Sequence, residues 1–444
     1  MSRALYGSAP VVVVASVEEP SALEAAAADA ARIGVPLLLL EAEPTSLPRE
    51  VVDEIARLRP TTVLAVGAGT SAAADQLPAV KVVPDAAQLP EVTLAAPTSS
   101  RAVLARKASG EHESVAGVLA TTAAAATGST VIPVNHQDLR ADSDAITALA
   151  DQKPEQVIAI GGGFGPVDRF AGRVAVATTG VQLPDGGQVL FPGHRLVALY
   201  GHPATSALGV LGEQGLEASI TRAQKTAQRY DALSSVPVVP TFEIIATTLQ
   251  SSPGPDGDYS GESSVESLRP WVTKAQAAGL YVVLDLQPGR ANFLDQAKRY
   301  APLLRLPNVG LALDPEWRLG PGQVPLRQIG GVDASEINAV SDWLAQLTAS
   351  EQLPQKLLVL HQFQLSMIRN EKKLDTSHDE IQLLIHMDGQ GSPELKEGTW
   401  RAVVAAAPKG MPFGWKNFYD EDKPTLTPKQ TMAKRPQPDM ISYQ

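Results

Sequence analysis

Two periodicities alternate along the chain. Short apolar runs rich in Val, Leu and Ile have the pattern of buried strands, and the stretches between them carry apolar residues at helical spacing. VVVVAS (11–16), PLLLL (36–40) and TTVLAVGAG (61–69) predict strands, with helices over 21–34, closing on Gly34, and over 48–58. The order then recurs as TVIPVN (130–135), a helix across 141–152, and EQVIAIGGG (155–163). Pro60 and Gly67 are answered by Pro154 and Gly161, both at an offset of 94 residues. That spacing predicts two copies of a small, Rossmann-like α/β unit.

From residue 195 onward the alternation is longer. Strands are predicted at 195–200, 236–245, 281–286, 309–313, 356–361, 382–387, 414–419 and 440–444. Helical patterns fill the gaps at 215–230, 264–278, 292–304, 334–348, 393–407 and 428–434, and the fifth gap is short and less helical. Eight strands with helices between them predict a (β/α)8, TIM-like barrel. The chain ends directly after the eighth strand, so the helix that would follow it is not expected.

Composition separates the two regions. Only Tyr6, Phe164 and Phe170 of the aromatic residues precede residue 191. Residues 1–190 carry a net charge of −8 and the remainder −3. The expected division is therefore a tandem-repeat α/β domain at 1–190 and a barrel at 191–444, joined near the turn-rich stretch at 183–194. The total charge of −11 disfavours nucleic-acid binding, because no basic patch offsets it. No apolar run is long enough to span a membrane. The absence of cysteine excludes disulfides, thiolate metal sites and cysteine nucleophiles.

Gly161, Gly162, Gly163 and Gly165 suggest a phosphate loop, but their spacing fits neither of the common glycine fingerprints. The matching GAG in the first copy favours a strand-to-helix turn.

The chemistry is expected where the barrel strands end. Strand one leads to His202, strand two carries Glu243 and strand three Asp285. Strand four is followed by Asp314, Glu316 and Trp317; strand five ends at His361 and Gln362; strand six at His386 and Asp388. Strand seven supplies Trp415, Lys416, Phe418 and Tyr419, and strand eight Tyr443. Any one of these acidic residues reads equally well as a helix cap or loop salt bridge, and the histidines as satisfied core residues. Their convergence on one rim is the functional signal, because crowded carboxylates repel and buried ones are costly.

The leading reading is glycoside hydrolysis. It needs one carboxylic acid to protonate the departing oxygen and a second carboxylate as base or nucleophile. Glu316 is the expected acid, with the apolar face of Trp317 to raise its pKa. Asp314 would modulate it, and Asp285, Asp388 or Glu243 would be the second carboxylate. Tyr259, Trp317, Trp415, Phe418 and Tyr419 would offer flat faces to sugar rings. Two long loops, 251–264 and 318–333, would wall the site. Arg290 and Arg318 are the expected partners of the crowded carboxylates.

Two other readings compete. His202, His361 and His386 resemble part of the ligand set of the amidohydrolase superfamily. Strand one lacks that family's paired histidine, however, and Tyr443 stands where it has an aspartate. The other is a non-catalytic glycan-binding protein. No cofactor and no resident metal are expected.

The segments PLLLL, LPREVVDEIARLRPTTVLAVGAG and LRADSDAITALADQKPEQVIAIGGG make residues 10–175 resemble the type 2 cell-wall-binding repeat of exported Gram-positive proteins. YGHPATSALGVLGEQ, LDLQPGRANFLDQAKRY, VGLALDPEWRLGPGQV and GWKNFYDED make the barrel resemble uncharacterised secreted or lipoprotein-type actinobacterial proteins. These resemblances imply a secreted or envelope location, a glycan or cell-wall partner, and a leader or lipid anchor in a precursor. They transfer no catalytic residue.

Overall fold

A computed structural model describes residues 1–40, 46–92, 100–106 and 111–444. The chain is mixed α/β and separates into two compact units, Met1–Gly180 and Val181–Gln444.

The first unit holds two parallel sheets. In one, Val11–Ser16 is flanked by Leu37–Leu40 and Thr62–Val66, and Lys81–Val83 extends the edge. In the other, Arg101–Arg106 lies between Thr130–Val134 and Gln156–Ile160. Val11–Ser16 and Arg101–Arg106 are thus each flanked by a parallel strand on both sides, and Arg101–Arg106 is a strand that the sequence pattern did not predict. Val11 to Ala15 are buried on both faces of the sheet, which is why the strand is continuously apolar. The alanine-rich helix Pro20–Ile33 packs on its counterpart Glu111–Thr127. Gly67 (φ 99°) and Gly161 (φ 94°) end equivalent strands in left-handed backbone, the conformation that the turn reading requires.

The second unit is a closed, all-parallel, eight-stranded barrel. Its strands are β1 (Arg195–Gly201), β2 (Val238–Leu249), β3 (Tyr281–Leu286) and β4 (Val309–Leu313). The circle continues through β5 (Lys356–His361), β6 (Ile381–Met387), β7 (Phe413–Asn417) and β8 (Met440–Tyr443). β8 pairs with β1, and β1 with β2, which closes it. The upper part of β2 runs past the barrel and pairs antiparallel with Ser260–Glu262, so part of the loop at 251–264 is a hairpin. The helix predicted at 292–304 divides into Phe293–Arg299 and Ala301–Leu304. Pro302, which lacks an N–H to continue the ladder, lies in the first turn of the second piece. No α-helix joins β5 to β6; two short 3-10 turns, Leu365–Met367 and Glu371–Lys373, do so instead.

Alternation along the strands sorts the side chains. Leu196 and Ala198, Val239, Tyr281 and Val283, Ala312, Leu357 and Val359, Leu384 and Met440 fill the barrel interior. Alternate residues such as Val197, Leu284 and Leu358 form the layer between the strands and the surrounding helices. The turn-rich stretch at 183–194 belongs to the barrel: Leu183 and Leu190 join the interior cluster. The Leu190 N–H donates to Gln355 Oε1 at 3.0 Å, so this stretch seals the amino end of the barrel.

Candidate active site

One step above the apolar interior, the same inward alternation delivers polar side chains. Tyr200 follows Leu196 and Ala198 on β1, Asp285 follows Tyr281 and Val283 on β3, and His361 follows Leu357 and Val359 on β5. Glu243, His386, Lys416 and Ser442 complete this layer, and all are buried. Gly414 makes room for it, because a Cβ there would collide with the His386 imidazole.

His361 is the hub. Its Nε2 lies 3.0 Å from Glu243 Oε1 and 3.7 Å from Asp285 Oδ1, and its Nδ1 lies 3.2 Å from Asp388 Oδ2. Tyr200 donates its hydroxyl proton to Asp285 Oδ2 at 3.0 Å. His386 Nε2 meets Ser442 Oγ at 3.1 Å. Burial alone would push His361 down, but the Glu243 and Asp388 carboxylates outweigh it and hold the imidazole well above its ordinary pKa. His386 goes the opposite way, depressed by burial and by the His361 charge, and is a neutral imidazole.

Above this layer opens a pocket of about 750 Å³. Asp314, Glu316, Asp388 and Lys416 reach it, with Trp317, Phe363 and Phe418 among its apolar walls. One carboxylate oxygen from each of Asp314, Glu316 and Asp388 lies within 4.8 Å of the others. The three do not share one protonation state. Burial, with repulsion from Asp388, pushes Glu316 up to about 8. Burial and the neighbouring Glu316 and Asp285 raise Asp314 well above the carboxylate range. Burial would raise Asp388 too, but its contact with His361 prevails and holds it below the ordinary value. Asp285, in the layer beneath, is pushed by burial to about 6. A protonated acid and an ionised carboxylate thus face one cavity, which is the division of labour acid-base chemistry requires.

Several sequence-derived candidates lie outside the pocket. Glu243, Asp285 and His386 support it from below. His202 is on the rim, with Nε2 3.2 Å from Ser263 Oγ and Nδ1 accepting from the Ala204 N–H. The Tyr259 ring lies under the Arg290 guanidinium, 4.7 Å from centre to carbon. Gln362 donates to Glu371 Oε2 at 3.0 Å. Trp415 points outward and packs on Trp400 with ring centres 5.5 Å apart. Tyr443 shares a 2.5 Å hydrogen bond with Tyr230 and stacks on Tyr419 at 5.3 Å.

The expected arginine partners also lie elsewhere. Arg290 donates to the Gln323 carbonyl and Arg318 pairs with Glu336, so His361 and Lys416 are the cations facing the carboxylates. Of the three histidines of the amidohydrolase-like reading, His361 and His386 lie side by side with ring centres 5.2 Å apart, and His202 stands apart on the rim. None of the carboxylate and imidazole groups close enough to share an ion, among the described residues, includes His202, His361 or His386. Tyr200, Phe363, Gln287 and Ser442 are the residues that sequence reasoning missed. Strict period-two alternation from Leu196 and from Met440 would have found Tyr200 and Ser442.

Comparison with protein-family models found no match, and comparison with curated proteins found none.

Proposed function

We propose that the barrel is a retaining glycoside hydrolase in which Glu316 is the general acid and Asp388 the nucleophile. The observation that carries this reading is their opposed protonation across one pocket, with carboxylate oxygens within 4.8 Å. A gap of no more than 4.8 Å between their nearest oxygens is below the roughly 6.5–9.5 Å of inverting enzymes, which leave room for a water, and so favours the retaining course. In the first step Asp388 bonds to the anomeric carbon while Glu316 gives its proton to the departing oxygen. In the second, Glu316, now a carboxylate, takes a proton from water as that water displaces Asp388. Burial and the Asp388 charge keep Glu316 protonated, and His361 keeps Asp388 ionised. The repeat unit would hold the protein to a cell-envelope glycan; its resemblance to cell-wall-binding repeats supports this, as it does a secreted or envelope location.

The test is release of reducing ends from purified walls and from a panel of aryl glycosides. Glu316→Gln and Asp388→Asn are expected to lower the rate about 100-fold or more in proteins that remain folded, the usual scale for removing such a group. Undiminished turnover in either variant would remove this assignment. Wall binding without release of sugar would favour the binding-only reading.

One observation favours a second reading. Asp314 Oδ1 and Asp388 Oδ1 are buried without a hydrogen-bond partner, as oxygens awaiting a divalent cation would be. Full activity in excess chelator would exclude it; stoichiometric cation binding lost in Asp314→Asn would support it.

A further inference from the structure

Lys416 and Lys396 are both almost fully buried, at 3% and 2% exposure, and they are used differently. Lys396 closes on Asp422 and also donates to the Lys416 carbonyl at 2.7 Å. It is a complete buried pair. Lys416 has carboxylates near enough to feel its charge in Asp285, Glu316 and Asp388, yet its ammonium forms no hydrogen bond or ion pair with any of them. Its Nζ lies over the Tyr200 ring, 3.4 Å from the centre, and 5.2 Å from that of Phe418. The side chain forms part of the pocket wall.

An ammonium has three donors, and a buried cation left without acceptors costs stability. If Lys416 served only to neutralise the acidic cluster, closing on one carboxylate would give the strongest interaction, as Lys396 does with Asp422. Instead its aromatic contacts hold it at the pocket wall, with its donors free for an acceptor that arrives with the ligand. An ionised oxygen is the acceptor that a desolvated ammonium binds best.

We infer that the pocket takes a sugar bearing an ionised acidic group, a carboxylate or a phosphate, and that Lys416 Nζ binds that group on the ring beside the scissile bond. The placement next to the scissile bond rests on the glycosidase reading; the recognition of an anionic sugar by Lys416 does not. Lys416 is then the residue that distinguishes acidic from neutral sugars.

Calorimetry on the full chain, with D-glucuronate, D-glucose 6-phosphate and D-glucose as probes, tests this without turnover. At least one acidic sugar is expected to bind about tenfold or more tightly than glucose, the scale of a hydrogen bond to a charged group. Lys416→Met should erase that difference, and Lys416→Arg should keep part of it. Acidic sugars binding no tighter than glucose to the unaltered protein would overturn the proposal, whatever the variants do. So would a preference that survives Lys416→Met in a folded protein. The two readings fail separately. Selectivity through Lys416 with undiminished cleavage in Glu316→Gln removes the glycosidase assignment and leaves the subsite. Cleavage lost in Glu316→Gln with no acidic preference does the reverse.

Discussion

Glu316 and Asp388 show how two identical functional groups in one pocket acquire opposite states. Glu316 is desolvated without a cation in hydrogen-bonding reach, and its pKa rises from 4.5 to about 8. Asp388 is desolvated as well, but the imidazolium of His361 stands 3.2 Å away. Activity that depends on Glu316 as acid is therefore expected to fall as pH rises through about 8, and a pH profile of kcat/KM checks this. Stability has the same sign. The folded state retains a proton that the unfolded chain releases above 4.5, so this contribution is present at low pH and lost as pH passes about 8. Melting temperatures from pH 5 to 9 should decline, and Glu316→Gln should flatten that decline by a few degrees. Several of these residues were legible in the sequence, since a carboxylate at a strand end is visible without a structure. Their facing was less so. Trp415, Gln362 and Tyr443 were chosen for their chemistry, but each sits one residue off the inward phase of its strand. That single step sends the side chain to the helix layer.

At the level of elements, the loops that carry the site are braced by buried polar ties. Asp422, in the loop after β7, accepts from the Gly391 N–H at 3.0 Å and from the Phe418 N–H at 3.0 Å, and pairs with Lys396. One carboxylate thus joins the loops after β6 and β7 to the helix Pro393–Ala406. Asp422→Ala leaves Lys396 buried and uncompensated, and is expected to cost about 3–5 kcal/mol in denaturant unfolding. The stretch at 183–194 is a second tie. Its glycines and prolines announce turns, and nothing local announces that Leu183 and Leu190 will plug the barrel. Leu190→Ala should cost about 2–5 kcal/mol, since the cavity it leaves lies among interior side chains that close poorly around it. A purely loop role for the stretch predicts almost no loss.

For the whole molecule, the two units have separate hydrophobic cores. The clusters around Val12 and Val13 draw only on the first unit, and those around Leu196 and Val197 only on the second. A fragment spanning 181–444 is accordingly expected to unfold cooperatively by circular dichroism and to keep any sugar cleavage. A fragment starting at 195, without the plug, should be markedly less stable. Among the described residues no helix is long and apolar enough to cross a membrane.

The sequence by itself determined the alternation of strand and helix and the eight barrel strands, because burial on a strand or helix imposes a period that local reading detects; the strand Arg101–Arg106 and the helix Glu111–Thr127 of the first unit it did not show. It also determined that carboxylates and histidines would gather at one rim, because parallel strands of a barrel all end on the same side. Only the tertiary structure decided which of them share a cavity, which are protonated, and that His361 and Lys416 rather than Arg290 and Arg318 face the acids. Those outcomes depend on desolvation and on distances of a few ångströms between residues far apart in the chain. Closure of the barrel sets both, and no local pattern encodes them.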